Sequence, residues 1–245
     1  MRFTNRTVIV TGAASGIGLA IARRFCEEGA NTVLADLHMD LLDKAVEELR
    51  QYSNAKPLPV QCDVSREEQV SDTVAAALAH FGTLDIIVNN AGLMIFKKLE
   101  EHTAEDWMRI LAVDLLGAFY FIKHAFLNMP KGGAIVNISS IHALETTPMV
   151  TGYAAAKAAV ISLTRSAAIE GKEKGIRVNA ILPGAVDTPM LWQNPNIKAG
   201  LEQVNKDSIG KPEDIAAVAA FLASDEAAFV QGAMIEVDGG RLDRL

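Results

Sequence analysis

Cysteine is scarce. The 245 residues hold two, Cys26 and Cys62, and neither has a Cys or His nearby at metal-ligand spacing. This argues against a disulfide framework or a cysteine-held metal and predicts two reduced thiols in the cytoplasm, with no metal. Positive charge is also in deficit: 23 Lys and Arg stand against 30 Asp and Glu, a net charge of −7. Nucleic acid and anionic membranes are therefore poor candidates as the main partner. No uncharged apolar run approaches the ~18 residues of a membrane helix. A basic start, apolar stretch and small-residue cleavage site, the order of a secretory signal, is not seen either. Repeats, linkers and low-complexity segments are lacking. What remains, with 50% hydrophobic residues, suits one globular domain over 1–245.

Strand-like and helix-like stretches alternate along that domain. Strands are predicted at Thr7–Thr11, Thr32–Ala35, Leu58–Cys62, Leu84–Val88, Ala134–Ser139, Ile176–Leu182 and Met234–Val237. Between them, helices are predicted near Ile17–Glu28, Leu41–Gln51, Glu67–Phe81 and Ala104–Asn128, with another carrying Tyr153. This order predicts an α/β fold, a doubly wound parallel sheet covered by helices on both faces. One connection is long. Residues Ala185–Lys211 contain Trp192, Gln193 and two prolines with little periodicity, which suits a substrate-binding loop or lid over 185–211.

The first strand runs into Thr11-Gly12-Ala13-Ala14-Ser15-Gly16-Ile17-Gly18 before a helix. Glycines 12, 16 and 18 allow a tight turn and close backbone approach, and the helix N-terminus offers free N–H groups to a diphosphate. Asp36 ends the second strand, where a carboxylate accepts hydrogen bonds from ribose hydroxyls and repels a 2′-phosphate. Leu37 and His38 follow it rather than an arginine, so NAD is expected over NADP. Asp63-Val64 and Asn89-Asn90-Ala91-Gly92 close the third and fourth strands. Together they mark the carboxyl rim of the sheet, where ligands of open α/β sheets bind.

Tyr153 and Lys157 stand four residues apart in a helix-forming stretch, and Ser140 lies thirteen residues before the tyrosine. Positions i and i+4 share a helix face. A strand-end hydroxyl, a phenol and a fixed ammonium in one pocket suit proton transfer to a carbonyl oxygen.

These residues, with Pro183-Gly184 and Thr188, resemble the short-chain dehydrogenase/reductase family over essentially the whole chain. The resemblance implies a seven-stranded sheet, a nicotinamide cofactor, a cofactor contact for Tyr153 and Lys157, and a homotetramer or dimer. It also implies that Pro183-Gly184 shapes the nicotinamide pocket and that Val186 and Thr188 contact the carboxamide. One position departs from the family. Three residues before Gly117 the family pattern usually has asparagine, which helps hold a water linking the lysine to solvent, and here stands Asp114. A buried carboxylate beside Lys157 would change the charge balance of the site.

The implied chemistry is hydride transfer between NAD and a secondary alcohol or ketone. Tyrosine ionises near pH ~10; an adjacent ammonium and a positive nicotinamide ring favour its phenolate. Tyr153 would take or return the alcohol proton, Lys157 would bind the nicotinamide ribose, and Ser140 would hold the substrate oxygen. On an extended backbone His142 faces the same way as Ser140. Ser-x-His at this place resembles the glucose and 3-hydroxybutyrate dehydrogenase branches of the family, so a polyol or sugar-like substrate is expected. Trp192 is a candidate lid contact, and Met94, Phe96, Leu144, Met149 and Met190 are candidate walls. The alternatives are a 3-hydroxyacid dehydrogenase or ketoacyl/ketone reductase, and a non-catalytic nucleotide sensor.

Overall fold

Every side chain of β1 (Thr7–Thr11) is buried. Alternation sends Val8 and Val10 to one face of the sheet and Ile9 to the other, and each face meets its own layer of helices. The computed structural model describes residues 1–52, 57–129, 132–198, 200 and 209–242. Within them, β1, β2 (Asn31–Asp36), β3 (Leu58–Gln61), β4 (Ile86–Asn89), β5 (Gly133–Ile138), β6 (Ile176–Pro183) and β7 (Met234–Val237) form one parallel sheet in the order β3-β2-β1-β4-β5-β6-β7. The order reverses between β1 and β4, which opens a crevice at their carboxyl ends.

On one face lie α1 (Gly16–Glu27), α2 (Met39–Leu49) and α9 (Pro212–Ala223). There Ile21, Phe25, Leu42 and Leu222 pack with Val8, Val10 and Leu34. On the other face lie α3 (Glu67–Phe81), α5 (Gly117–Asn128) and α6 (Thr151–Gly171). There Val70, Phe121, Ala125 and Ala167 pack with Ile9, Ile87 and Ile135. The seven expected strands all form, with shifts of one or two residues at their ends. Helix α9 is an element that the sequence reading did not single out, although Pro212 at its first turn marks its start.

One expectation needs correction. The segment 104–128 is not one regular helix. Here α4 (Ala104–Leu111) passes through a π-helical turn, Ala112–Leu116, into α5. That turn resets the helical register and directs Asp114 inward. The same segment is also long and apolar enough, by length and composition, to cross a membrane, with a mean hydropathy of 1.7. It contains Arg109, Asp114 and Lys123, so no uncharged run was visible in it. In the fold it lies along the sheet, with Phe121, Ile122 and Ala125 in the core.

The long connection contains two short helices, α7 (Pro189–Gln193) and α8 (Pro195–Lys198). Thr188 caps the first by accepting a bond from Leu191 N at 3.3 Å. The remainder of the expected loop includes 199 and 201–208, which lie outside the described residues.

A polar chain runs through the core where β4, β5 and α6 meet. Asn89 and Asn137 are register partners. Asn89 Nδ2 donates to Asn137 Oδ1 at 2.8 Å, and Asn137 Nδ2 donates to Thr164 Oγ1 at 2.9 Å. These two buried side-chain bonds tie α6 to the sheet, and removing the Asn137 amide strands Asn89 Nδ2 without its acceptor. Asn137→Ala is expected to destabilise the protein by about 1–3 kcal/mol, read as a lower urea midpoint.

Candidate active site

The glycine turn is built by contact as much as by flexibility. Gly12 has φ +62°, and a Cβ on Gly18 would stand 2.1 Å from Gly12 O and 2.5 Å from Asn90 Nδ2. Asn90 is the reason for the second contact: its Nδ2 donates to Thr11 O at 2.9 Å and to Gly12 O at 3.3 Å. The Thr11 hydroxyl accepts from the backbone N–H groups of Asn90 and Ala91, each at 2.9 Å. The Asn90 side chain therefore ties the end of β4 to the loop after β1. Ser15 caps α1 without a side-chain bond to it, so the first-turn amides of α1 are open to an anion.

Asp36 stands at the end of β2. Its Oδ2 accepts from Ala14 N at 3.1 Å, and its Oδ1 accepts from His38 N at 3.1 Å. Asp63 Oδ1 is occupied by the N–H and hydroxyl of Ser65, at 3.0 and 2.6 Å. Both carboxylates nonetheless line one cleft of about 720 Å³ with Gly12, Ser15, Gly16, Ile17, Val64, Ala91 and Gly92. Gly18 is the expected loop residue that lies behind the wall. The cleft continues past Pro183, Gly184, Val186 and Thr188 to Ser140, His142, Tyr153 and Lys157. Its volume falls in the usual range for small-ligand sites. One groove thus joins an anion-binding helix terminus, a strand-end carboxylate and a phenol. An extended dinucleotide fits that donor set.

At the far end of the cleft, Tyr153 and Lys157 come from successive turns of α6, with Lys157 Nζ 5.4 Å from the phenol ring centroid. Both residues are buried, at 7% and 3% exposure. Lys157 Nζ donates to Ile138 O at 3.1 Å, and Ser139 Oγ donates to Lys157 O at 2.8 Å. The end of β5 therefore holds the lysine at both its head and its backbone. Ser140, the next residue, lines the same end of the cleft as the Tyr153 phenol.

Asp114 reaches Lys157 from the π turn. Its Oδ1 lies 3.2 Å from Nζ, and its Oδ2 accepts from Leu93 N at 3.2 Å. Gly92 makes room for this pair, since a Cβ there would stand 2.7 Å from Asp114 Oδ1 and 3.2 Å from Lys157 Nζ. Behind them lies a small cavity of about 10 Å³, walled by Thr11, Asn89, Asp114, Gly117 and Lys157 among others, which is room for about one water molecule.

Electrostatics follow from this burial. Desolvation pushes the Tyr153 phenol above its ordinary value; Lys157 and the Ser140 hydroxyl act against it, while Asp114 acts with it. Burial alone would pull the Lys157 ammonium down, but Asp114 and Tyr153 hold it above the ordinary lysine range. Burial raises Asp114, with Lys157 opposing.

Three expectations change in detail. The stretch after Ser140 is not extended: Ile141–Ala143 is a 3-10 turn capped by Ser140, whose hydroxyl accepts from His142 N at 3.1 Å. His142 still borders the cleft, edge-on to Tyr153 with ring centroids 6.0 Å apart. Trp192 turns away from the cleft wall, its indole N–H donating to Asp187 Oδ1 at 2.7 Å. Of the candidate apolar walls, Met94, Phe96 and Met190 line the cleft, joined by Leu93, Ile141 and Leu191, while Leu144 and Met149 do not. Arg109, Asn194 and Arg241 also line it; nothing in their local sequence distinguishes them. Among the described residues no group of three His, Cys, Asp or Glu side chains is placed to hold a metal.

Comparison with known proteins agrees with this geometry. Residues 12–241 match the family model described as enoyl-(acyl carrier protein) reductase. The chain is 41% identical to 3beta-hydroxysteroid dehydrogenase 1 of Eggerthella lenta, over 96% of this chain and 93% of that protein. It is 39% identical to glucose 1-dehydrogenase 2 of Bacillus subtilis, over 97% and 95%. Among solved structures it is similar to levodione reductase, with a TM-score of 0.93 and 36% identity over the full length of both chains.

Proposed function

The chain belongs to the short-chain dehydrogenase/reductase family and is an oxidoreductase acting on CH–OH groups, and we propose that it moves hydride between NAD and a secondary alcohol or ketone with Ser140, Tyr153 and Lys157 as its working residues. One observation carries this reading: a buried phenol shares one end of a cleft with the Ser140 hydroxyl and the Lys157 ammonium, and that cleft continues to the glycine turn. When bound, the nicotinamide ring supplies the acceptor or donor of hydride. Residues of the chain then handle the proton. Ser140 and Tyr153 hold the substrate oxygen, and Tyr153 takes the alcohol proton in oxidation or returns it in reduction. Lys157 has three N–H donors. Ile138 O accepts from one and Asp114 Oδ1 lies 3.2 Å from Nζ, so a further donor remains for a ribose hydroxyl.

At the cofactor end, Ser15, Gly16 and Ile17 would offer backbone N–H groups to the diphosphate, with Gly12 and Gly18 letting the turn close. Asp36 would take the adenosine ribose, and Asp63 and Val64 would lie toward the adenine. Asn90, Ala91 and Gly92 would lie beneath the cofactor, and Pro183, Gly184, Val186 and Thr188 would border the nicotinamide. A single domain would carry both ends, with Met190, Leu191 and Asn194 of the long connection beside the substrate. Asp36 favours NAD because a 2′-phosphate would meet its carboxylate with no arginine beside it.

For the substrate, Leu93, Met94, Phe96, Ile141, Met190 and Leu191 favour a mainly apolar carbon skeleton around the reacting alcohol. His142 beside Tyr153 supports the second reading, a polyol or sugar-like alcohol with a further hydroxyl in reach. Burial pushes the Cys26 thiol up to about 11, so it has little thiolate at neutral pH, as suits a reduced structural cysteine in the cytoplasm. Met108, Leu116, Phe119 and Leu127 are exposed apolar residues of α4, the π turn and α5, which supports self-association and the homotetramer that the family resemblance implies.

Tyr153→Phe should lower kcat at least 100-fold with dinucleotide binding retained, measured by turnover and calorimetry; wild-type turnover would sink the assignment. Initial rates with NAD and NADP across a panel of alicyclic alcohols, glucose and 3-hydroxybutyrate should give a higher kcat/KM with NAD and with the alicyclic alcohols. A preference for NADP refutes the role of Asp36, and a preference for glucose selects the second substrate reading. Light scattering should give the mass of four chains, and a monomeric mass would refute the tetramer.

A further inference from the structure

The ionisable groups around the Tyr153 phenol come from three elements. Lys157 lies one turn along α6, His142 approaches from the 3-10 turn, and Asp114 reaches in from the π turn behind the lysine. Arg109 lines the same cleft farther out, from α4. Of these, Asp114 is the only carboxylate paired with the ammonium, at 3.2 Å, and its side chain is fully buried. A neutral amide there would leave the lysine's charge acting alone on the phenol. The carboxylate places an opposite charge directly against it.

We propose that Asp114 is a positioning residue that sets the pH at which Tyr153 works, its carboxylate cancelling much of the field by which the Lys157 ammonium favours the phenolate. This rests on the reading of Tyr153 as the proton-transferring group. The geometry allows no easy escape from the effect. Asp114 Oδ2 is held by Leu93 N, Lys157 is held by Ile138 O, and Gly92 lets the pair close without a side chain between them. Burial keeps bulk solvent from screening the two charges. Burial is the first cause of the upward shift of Tyr153; Lys157 acts against it and Asp114 with it.

The consequence is an enzyme that oxidises alcohols best in alkaline solution and retains a protonated phenol for ketone reduction through neutral pH. Oxidation needs the phenolate, so kcat/KM falls tenfold for each pH unit below the Tyr153 pKa. Asp114→Asn removes the charge and keeps the shape. Its acid limb in the pH profile of alcohol oxidation should move down by about one to two pH units, as expected for removing a charge at this range. Oxidation well below the wild-type pKa should therefore rise about ten- to hundredfold. The alkaline limb of ketone reduction should move down by the same amount, because both limbs report one group. A purely structural role for Asp114 would lower rates without moving either limb.

His142→Gln should leave the displacement between wild type and D114N unchanged, which separates the tyrosine from a titrating histidine. Where D114N does not fold, D114S drops the same charge and must shift the limbs in the same direction. Limbs that stay in place, or move to higher pH, overturn the proposal; the latter result would mean that the carboxylate serves to keep the ammonium charged. If Tyr153→Phe abolishes turnover while D114N leaves the limbs unmoved, this inference falls and the assignment of Tyr153 stands. If Tyr153→Phe is fully active, both fall.

Discussion

A lysine ammonium withdrawn from water persists only where other groups replace its hydration. Lys157 meets that condition with one carbonyl from the end of β5 and one carboxylate from the π turn. Much of the site's architecture serves those two contacts. The π turn interrupts a long helix to bring Asp114 inward, Gly92 omits a side chain so that the pair can meet, and Ser139 anchors the lysine's backbone. Tyr153, one turn earlier on α6, inherits its place from the same anchoring.

The two ends of the cleft are joined by the sheet rather than by direct contact. Reversal of strand order between β1 and β4 puts the glycine turn beside Asn90 and Ala91. From there the parallel register carries the rim along β5 and β6 to Ser140 and Pro183. Glycine, asparagine and threonine at these strand ends are shaping groups as well as ligand groups. Asn90 shows the difference: its amide hydrogens are engaged with the loop carbonyls, so its part is to hold the turn closed.

The fold was legible because parallel strands buried on both faces read as apolar runs separated by helical stretches. The glycine turn, Asp36 and the Tyr153–Lys157 pair were legible for a related reason: each is a local pattern whose meaning depends on a few residues of spacing. What escaped depends on distant contacts. The departure at Asp114 could be seen in the chain, but a π turn and the distance to Lys157 are tertiary facts. Trp192 looked like a lid residue by composition, yet Asp187 claims its indole N–H. The extended conformation expected after Ser140 gave way to a 3-10 turn because the serine hydroxyl caps it, and the apolar walls at Leu93 and Leu191 have no local signature at all.

The chain Asn89–Asn137–Thr164 bears on how this site meets a changing environment. It is built from amides and a hydroxyl, groups that neither gain nor lose protons across the pH range in which proteins remain folded. The Asp114–Lys157–Tyr153 set, which meets Asn89 at the small cavity, consists of ionisable groups whose charges act on one another. The protein thus separates a frame indifferent to acidity from a charge cluster responsive to it, so acidity can reset the chemistry while the geometry that aims it stays where it was.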